Sequence, residues 1–167
     1  MNRLFRFLRF AVAAAIASVP AIPAASFAGG SSAEKKIIER GRYVIQIGGC
    51  NDCHTPGYAM TDGKVPESEW LIGDQIGWRG PWGTTYPPNL RRTLGNLTEK
   101  EWLALAQNAS FRPPMPSVTL RKMSERDLRA VYRYVRSLGP GGGEVPAYVP
   151  PDQSPLGPVV MFPAPPN

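Results

Sequence analysis

The sequence predicts a helical protein, and the distribution of its apolar residues is the basis for this. Residues 34–48, 99–108 and 125–138 each carry apolar side chains at the spacing of one helical face. Residues 55–97, in contrast, are rich in glycine, proline and tryptophan and have only weak periodicity. An unstructured stretch of that length is uncommon inside a compact domain, so we expect it to wrap around something other than protein.

The first 28 residues are typical of an export signal. Three arginines open this segment, residues 10–25 are mostly apolar, and Ser-Phe-Ala at 26–28 offers small residues for a signal peptidase. An uncleaved membrane anchor is the alternative. Two prolines interrupt the apolar run, however, and it is shorter than the roughly 20 residues that a spanning helix needs. We therefore predict cleavage after Ala28, no membrane span in the mature protein and a periplasmic location.

Cleavage would change both the size and the charge of the chain. Removing 28 of the 167 residues leaves 139, which is enough for one domain with a modest core. The formal net charge falls from +6 to +3, because three arginines and no acidic residues are lost. No dense basic patch interleaved with aromatic residues remains, so the sequence does not favour nucleic-acid binding.

Each of the three predicted helices has recognisable ends. Gly48 and Gly49 break the first helix. The second begins with a capping box, in which Thr98 is followed three residues later by Glu101. The last helix begins after Ser124, a good N-cap residue, and ends where glycine and proline follow at 139 and 140. We therefore place the folded domain at residues 29–139.

The remaining residues, 140–167, have a different composition. Nine prolines and five glycines fall within the 29 residues that begin at position 139. This composition predicts an extended or disordered arm rather than a second domain. Such an arm could dock along a groove of a partner protein, or it could simply be a disordered tail.

Both cysteines and the only histidine lie in one run, GGCNDCHTP, at residues 48–56. A zinc site usually needs four ligands, and no further cysteine or histidine exists to complete one. A thioredoxin-like pair would follow a strand, whereas this run follows a predicted helix. An exported protein favours a disulfide, but here it would close a very short loop, stabilise little and leave His54 without a role.

The pattern Cys-x-x-Cys-His is instead typical of covalent haem attachment. Residues three apart lie on the same side of a helical turn, so Cys50 and Cys53 can each form a thioether to the same porphyrin. His54 then follows at the position where a ring nitrogen can bind the iron. We therefore predict one covalently attached haem c per chain.

The second axial ligand has to be sought among the methionines, because the chain has no other histidine. Met60 follows His54 by only six residues, which leaves little chain to pass around the haem edge. Met161 lies in the proline-rich arm, and Met123 is explained as a hydrophobic staple at the start of the last helix. Met115 stands between two prolines, which restrict the backbone around it. We predict Met115 as the ligand, with Met123 as the alternative.

Three segments resemble the class I c-type cytochromes with a single haem. They are GRYVIQIGGCNDCHTPG, RPPMP and MSERDLRAVYRYVRSLGP, and together they cover roughly residues 38–140. The resemblance is strongest to the cytochrome c domains associated with bacterial periplasmic dehydrogenases. Cytochrome subunits of those dehydrogenases often carry three CxxCH motifs, whereas this sequence has one.

The resemblance implies an all-α cytochrome c fold, in which helices and loops wrap around one covalently attached haem. It implies thioethers at Cys50 and Cys53 and axial ligation by His54 and Met115. The corresponding function is single-electron transfer between periplasmic redox partners, such as a dehydrogenase and an oxidase or another cytochrome, without catalysis. A haem-based sensor with a labile distal site and a cytochrome subunit of a larger oxidoreductase are the alternatives.

Two groups of polar residues have possible roles around such a site. Trp78, Arg79 and Trp82 can only donate hydrogen bonds, so they are candidates to bind haem propionates, with ordinary loop packing as the alternative. Four arginines at 126, 129, 133 and 136 form a stripe on the last helix. This stripe could steer an acidic partner or could be an ordinary solvated face.

Overall fold

A computed structural model describes residues 31–163 of the chain. The predicted export signal, residues 1–28, lies outside the described residues. The helices are α1 (Ser32–Ile47), α2 (Cys50–His54), α3 (Leu90–Gly95), α4 (Glu99–Gln107), α5 (Ser117–Lys122) and α6 (Glu125–Ser137). The strands are β1 (Gly77–Gly80), β2 (Gly83–Thr85) and β3 (Val159–Met161). No helix within residues 31–163 is long and apolar enough to cross a membrane.

The three predicted helices are confirmed as α1, α4 and α6, and each begins at a side-chain cap. Ser31 caps α1, and Ser124 caps α6 by accepting a hydrogen bond from the backbone three residues on. The predicted capping box of α4 is complete, since Thr98 and Glu101 each accept from the other's backbone N–H. These local bonds fix where the helices start.

Helices α1 and α6 cross at Gly41 and form the centre of the fold. A Cβ atom at Gly41 would overlap the carbonyl of Ala130 and would lie 2.6 Å from the Cβ of Tyr134. Only glycine therefore allows the two helices to approach this closely. The buried apolar residues that the two helices contribute around this crossing are Val44, Ile45, Leu128, Ala130, Val131, Tyr134 and Val135.

Glu67 ties the loop after α2 to both crossing helices. Its carboxylate accepts a 2.7 Å hydrogen bond from the hydroxyl of Tyr134 on α6 and a 2.8 Å bond from Arg42 on α1. The guanidinium of Arg42 also lies over the ring of buried Trp70, 5.2 Å from its centroid. The irregular segment is thereby fixed to the helical core.

The expected all-α fold class holds only in part, because the described residues contain a small sheet. Its strand order is β2-β1-β3, with β1 antiparallel to β2 and parallel to β3. The strands have only three or four residues each and include several glycines, so they are too short to show an alternating pattern in the sequence.

Strands β1 and β2 form an antiparallel hairpin. The described part of the C-terminal arm, residues 140–163, lies against this hairpin. Strand β3 comes from the arm and extends the sheet beside β1. Near the middle of the arm, Val149 forms an antiparallel bridge to Thr84 of β2. The arm therefore contacts both strands of the hairpin.

Candidate haem site

Helix α2 is a single turn that carries both cysteines and the histidine. Gly49 precedes it with φ at 66°, a left-handed conformation that favours glycine and turns the chain sharply out of α1. Cys50 and Cys53 lie three residues apart on this turn and therefore on the same side of it. Both thiols are free.

His54 is buried, with 5% of its surface exposed, and one of its ring nitrogens is already engaged. Nδ1 lies 2.8 Å from the carbonyl oxygen of Pro88. A carbonyl can only accept, so Nδ1 carries the hydrogen and Nε2 keeps a free lone pair. Burial lowers the pKa of His54 more than the Pro88 carbonyl raises it, so the imidazole is neutral at neutral pH.

A buried hydrogen-bond network connects α2 to the segment around Leu71 and holds it in place. The hydroxyl of Thr55 donates to Asn51 and accepts from the backbone N–H of Leu71, both at 2.8 Å. The carbonyl of His54 accepts from the N–H of Gly73 at 2.9 Å. The orientation of His54 is therefore fixed on both its ring side and its backbone side.

The two thiols do not have the character of a redox pair. Burial raises the pKa of the Cys50 thiol to about 11 and also raises the pKa of Cys53. Dithiols that exchange disulfides have a lowered pKa, because the thiolate is the reactive form. The structure thus favours a role for these sulfurs other than thiol exchange.

Burial separates the four methionines of the described residues into two pairs. Met60 and Met161 are 86% and 65% exposed, so neither is shielded as an axial ligand should be. Met115 and Met123 are partly buried and pack against the hydrophobic core. The structure therefore retains the same two candidates that sequence reasoning favoured.

Met115 lies in a closed and anchored loop, residues 111–117, which we call the methionine loop. The backbone N–H of Phe111 donates to the hydroxyl of Ser117 at 2.8 Å and closes its base. The hydroxyl of Thr85, on β2, donates to the carbonyl of Pro113 at 2.6 Å. Met115 is thus presented by a segment that is tied to the hairpin.

Met123 has a packing role that accounts for its burial. It follows α5 and directly precedes the cap of α6. Its terminal methyl lies against the turn before α2, where a Cβ atom on Gly48 would be 3.4 Å from it. This side chain fills the space between that turn and the start of α6.

The three predicted propionate donors have different surroundings, and Trp78 packs its ring on Phe162, with the centroids 5.9 Å apart. Arg79 donates to the carbonyls of Pro151 and Gln153, each at 3.0 Å, so its guanidinium holds the C-terminal arm. Trp82 is different, because its indole nitrogen is buried and has no hydrogen-bond partner within residues 31–163. Buried donors are nearly always paired, so this N–H fits a site completed by an acceptor such as a haem carboxylate.

The residues present therefore fit a c-type haem. The site has two free thiols on one turn and a neutral imidazole with a free Nε2. Sequence reasoning missed Pro88, Thr55 and Thr85, which orient His54 and the methionine loop. The nearest sequence signal was Asn89, an N-cap residue that fixes the start of α3 directly after Pro88.

Comparison with curated proteins finds similarity to cytochrome subunits of dehydrogenases. The chain is 25% identical over 111 residues to the fructose dehydrogenase cytochrome subunit of Gluconobacter japonicus, covering 63% of this chain and 22% of that protein. It is 27% identical over 122 residues to the gluconate 2-dehydrogenase cytochrome c subunit of Pantoea cypripedii, covering 65% and 28%. A quinone-type alcohol dehydrogenase cytochrome c subunit of Gluconobacter oxydans is 27% identical over 123 residues, covering 66% and 24%.

This similarity confirms the resemblance to cytochrome c domains associated with dehydrogenases. The chain spans about a quarter of the length of these curated relatives. No family model and no solved structure matches it.

Proposed function

We propose that this protein carries single electrons through one covalently bound c-type haem, with thioethers at Cys50 and Cys53 and axial ligation by His54 and Met115. The observation that carries the proposal is the state of His54. Its imidazole is buried and neutral, its Nδ1 is committed to Pro88, and its Nε2 is free to bind a metal. The curated relatives support the proposal, since their names describe cytochrome subunits of dehydrogenases.

The chain's own residues would keep the coordination fixed. When bound, a c-type haem supplies a one-electron couple at its iron. The Pro88 carbonyl and the network beneath α2 hold His54 in one orientation. The thioether sulfur of Met115, presented by a proline-restricted loop, would bind the iron and would favour its reduced state. A fixed pair of ligands keeps structural rearrangement on electron transfer small.

The remaining parts of the proposal concern location and partners. Residues 1–28 would direct export to the periplasm, residues 29–139 would form the cytochrome c domain, and residues 140–167 would form its arm. A dehydrogenase would be the electron donor and an oxidase or another cytochrome the acceptor, so the protein would be a carrier rather than an enzyme. The names of the relatives support a dehydrogenase partner.

Most arginines of the stripe on α6 are already paired within the fold, so fewer of them are free to bind a partner than the sequence suggests. Arg129 and Arg133 both pair with Glu99 of α4, and Arg129 also pairs with Glu125. Arg136 donates to the carbonyl of Gly95. Arg129, Arg133 and Arg136 are thus engaged within the fold, so we do not assign partner recognition to these three.

Covalent attachment is tested by extraction. The full chain is produced in cells able to mature c-type cytochromes, unfolded, and extracted with acidified organic solvent. We expect the haem, followed by its colour, to stay with the polypeptide. The double variant Cys50→Ala with Cys53→Ala should lose the colour, whereas either single variant should retain one thioether. Colour that leaves with the solvent in the unaltered protein would contradict the proposal.

Axial ligation is tested by comparing Met115→Leu with the matched variant Met123→Leu, since leucine conserves volume in each case. We expect Met115→Leu to lose the ferric absorption band of a methionine-ligated haem and to bind carbon monoxide promptly. Met123→Leu should keep the band. A methionine-ligated spectrum in Met115→Leu would exclude Met115. Slow carbon monoxide binding by the unaltered protein supports a carrier, whereas prompt and tight binding supports a sensor.

A further inference from the structure

The C-terminal arm is attached to the hairpin at several points along its length. Val149 exchanges two backbone hydrogen bonds with Thr84, of 2.7 and 3.0 Å. Further along, the Arg79 guanidinium donates to two carbonyls of the arm. At the end of β3, the N–H of Phe162 donates to the carbonyl of Arg79 at 2.7 Å. The arm is therefore part of the fold around the hairpin.

Tyr148, in the arm, bridges the hairpin turn and the methionine loop. Its hydroxyl donates a 2.7 Å hydrogen bond to the carbonyl of Trp82, which fixes the ring. Its ring faces the guanidinium of Arg112, whose Cζ lies 3.9 Å from the ring centroid. Gly83 permits this approach, since a Cβ there would lie 2.9 Å from the Tyr148 hydroxyl oxygen and would overlap the carbonyl of Val149.

The contact with Arg112 reaches the loop close to Met115. Arg112 is three residues before Met115 and directly precedes Pro113, whose carbonyl is held by Thr85. The loop is therefore held by the hairpin through Thr85 and by the arm through Tyr148. Prolines at 113, 114 and 116 restrict the backbone between these anchors and Met115. Fixing the first residues of the loop thus limits the positions that Met115 can take.

We propose that Tyr148 is a positioning residue for Met115. Through Arg112 it holds the methionine loop in the conformation in which Met115 binds the iron, so the C-terminal arm controls how readily the distal ligand leaves. This inference rests on the proposed function, because it takes Met115 as the ligand. It assigns to the arm a role within this chain, separate from any partner.

The first experiment replaces Tyr148 with alanine in the full-length, haem-containing protein. Carbon monoxide binds the ferrous form only when the distal ligand has left, so its association rate reports the open population. Losing a cation–π contact at an exposed arginine should raise that rate roughly two- to fivefold and weaken the ferric methionine band. Tyr148→Phe keeps the ring over Arg112 and should raise the rate less. The matched control is Tyr43→Ala on α1, where Arg40 lies 5.3 Å from the ring centroid. It should leave the rate unchanged.

A second variant keeps the proposal testable if Tyr148→Ala fails to fold. Arg112 is exposed, so Arg112→Gln should fold normally and should raise the carbon monoxide rate as Tyr148→Ala does. Combining the two changes should add little, since both remove the same contact. Suppose that both single variants have unchanged carbon monoxide rates while Met115→Leu binds carbon monoxide promptly. The role of the arm would then be overturned, and the assignment of Met115 as the ligand would stand. A methionine-ligated spectrum in Met115→Leu would overturn the ligand and this inference together.

Discussion

The hydroxyl of Thr85 donates a 2.6 Å hydrogen bond to the carbonyl of Pro113, two residues before Met115. Three residues after Thr85, the carbonyl of Pro88 accepts from Nδ1 of His54 at 2.8 Å. Three residues span at most about 10 Å even when fully extended. One short segment therefore holds both proposed axial ligands, and their relative position depends on that segment.

Replacing Thr85 with valine should loosen the methionine loop without creating a cavity. The variant loses the hydroxyl and leaves the Pro113 carbonyl without its donor, so the free energy of unfolding should fall by about 1 kcal/mol. Carbon monoxide should also bind the ferrous protein faster. Denaturant unfolding and stopped-flow mixing measure the two effects. Thr119→Val, at an exposed position on α5, is the matched control and should change neither. An unaltered carbon monoxide rate in Thr85→Val would show that this bond does not restrain Met115.

Replacing Gly41 with alanine should strongly destabilise the crossing of α1 and α6. The added methyl would meet the carbonyl of Ala130, which is backbone and cannot move aside as a flexible side chain can. We expect a loss of about 3 kcal/mol in the free energy of unfolding, measured by urea titration. Gly95→Ala is the control, because its nearest neighbour would be Arg136 at 3.9 Å. That change should be neutral or slightly stabilising. Equal effects at both positions would contradict close packing at Gly41.

The parts of the fold that the sequence predicted are those with local signals. Helices α1, α4 and α6 each begin at a cap whose partner lies three residues along the chain, as at Thr98 and Glu101. The sheet lacked such a signal. Its strands are short, and β3 pairs with β1 across about 80 residues, from Val160 to Trp78. Pairing over that separation depends on the whole fold.

The same distinction applies to the candidate site. Cys50, Cys53 and His54 could be predicted because they share one turn of helix. The partner of His54 could not, because it is the backbone carbonyl of Pro88, 34 residues away, and a carbonyl is present at every residue. Arg79 was a candidate propionate donor, with loop packing as the alternative, and its guanidinium contacts the arm. The return of the arm to the hairpin has no periodic signal in the sequence.

Glu67 should make stability depend on pH in the acidic range. Burial alone would raise the pKa of Glu67, but hydrogen bonds from Arg42 and Tyr134 outweigh it and leave this pKa below its ordinary value of 4.5. Above pH 4.5 the carboxylate is charged in both states and its contribution is complete. As the pH falls through the lower folded pKa, that contribution is lost. Glu67→Gln should therefore cost roughly 1 kcal/mol at pH 7 and less at pH 3, which lies below the ordinary pKa.

The control for this prediction is Glu69→Gln, at an exposed carboxylate of the same 3-10 turn. It should cost little at either pH in urea titrations of the haem-containing protein. If Glu67→Gln cost the same at pH 7 and pH 3, the charge of Glu67 would not be the source of its contribution. The loss of stability would then be attributed to the geometry of the hydrogen bond between Glu67 and Tyr134, independent of charge.

Trp82 tests whether the buried indole N–H is satisfied by the haem. Trp82→Phe removes that donor and leaves an aromatic ring beside Phe162, whose centroid lies 5.3 Å from the Trp82 ring. A hydrogen bond to a charged carboxylate contributes about 2 kcal/mol, so the haem-containing variant should lose about that much stability. Trp78, the other candidate indole donor, is the comparison: its ring also packs on Phe162, at 5.9 Å, but its indole nitrogen is not a buried unpaired donor. Trp78→Phe should therefore lose less stability. Equal losses in the two variants, measured by denaturant unfolding, would assign Trp82 to packing, because removing an unpaired N–H costs nothing beyond the lost ring contacts.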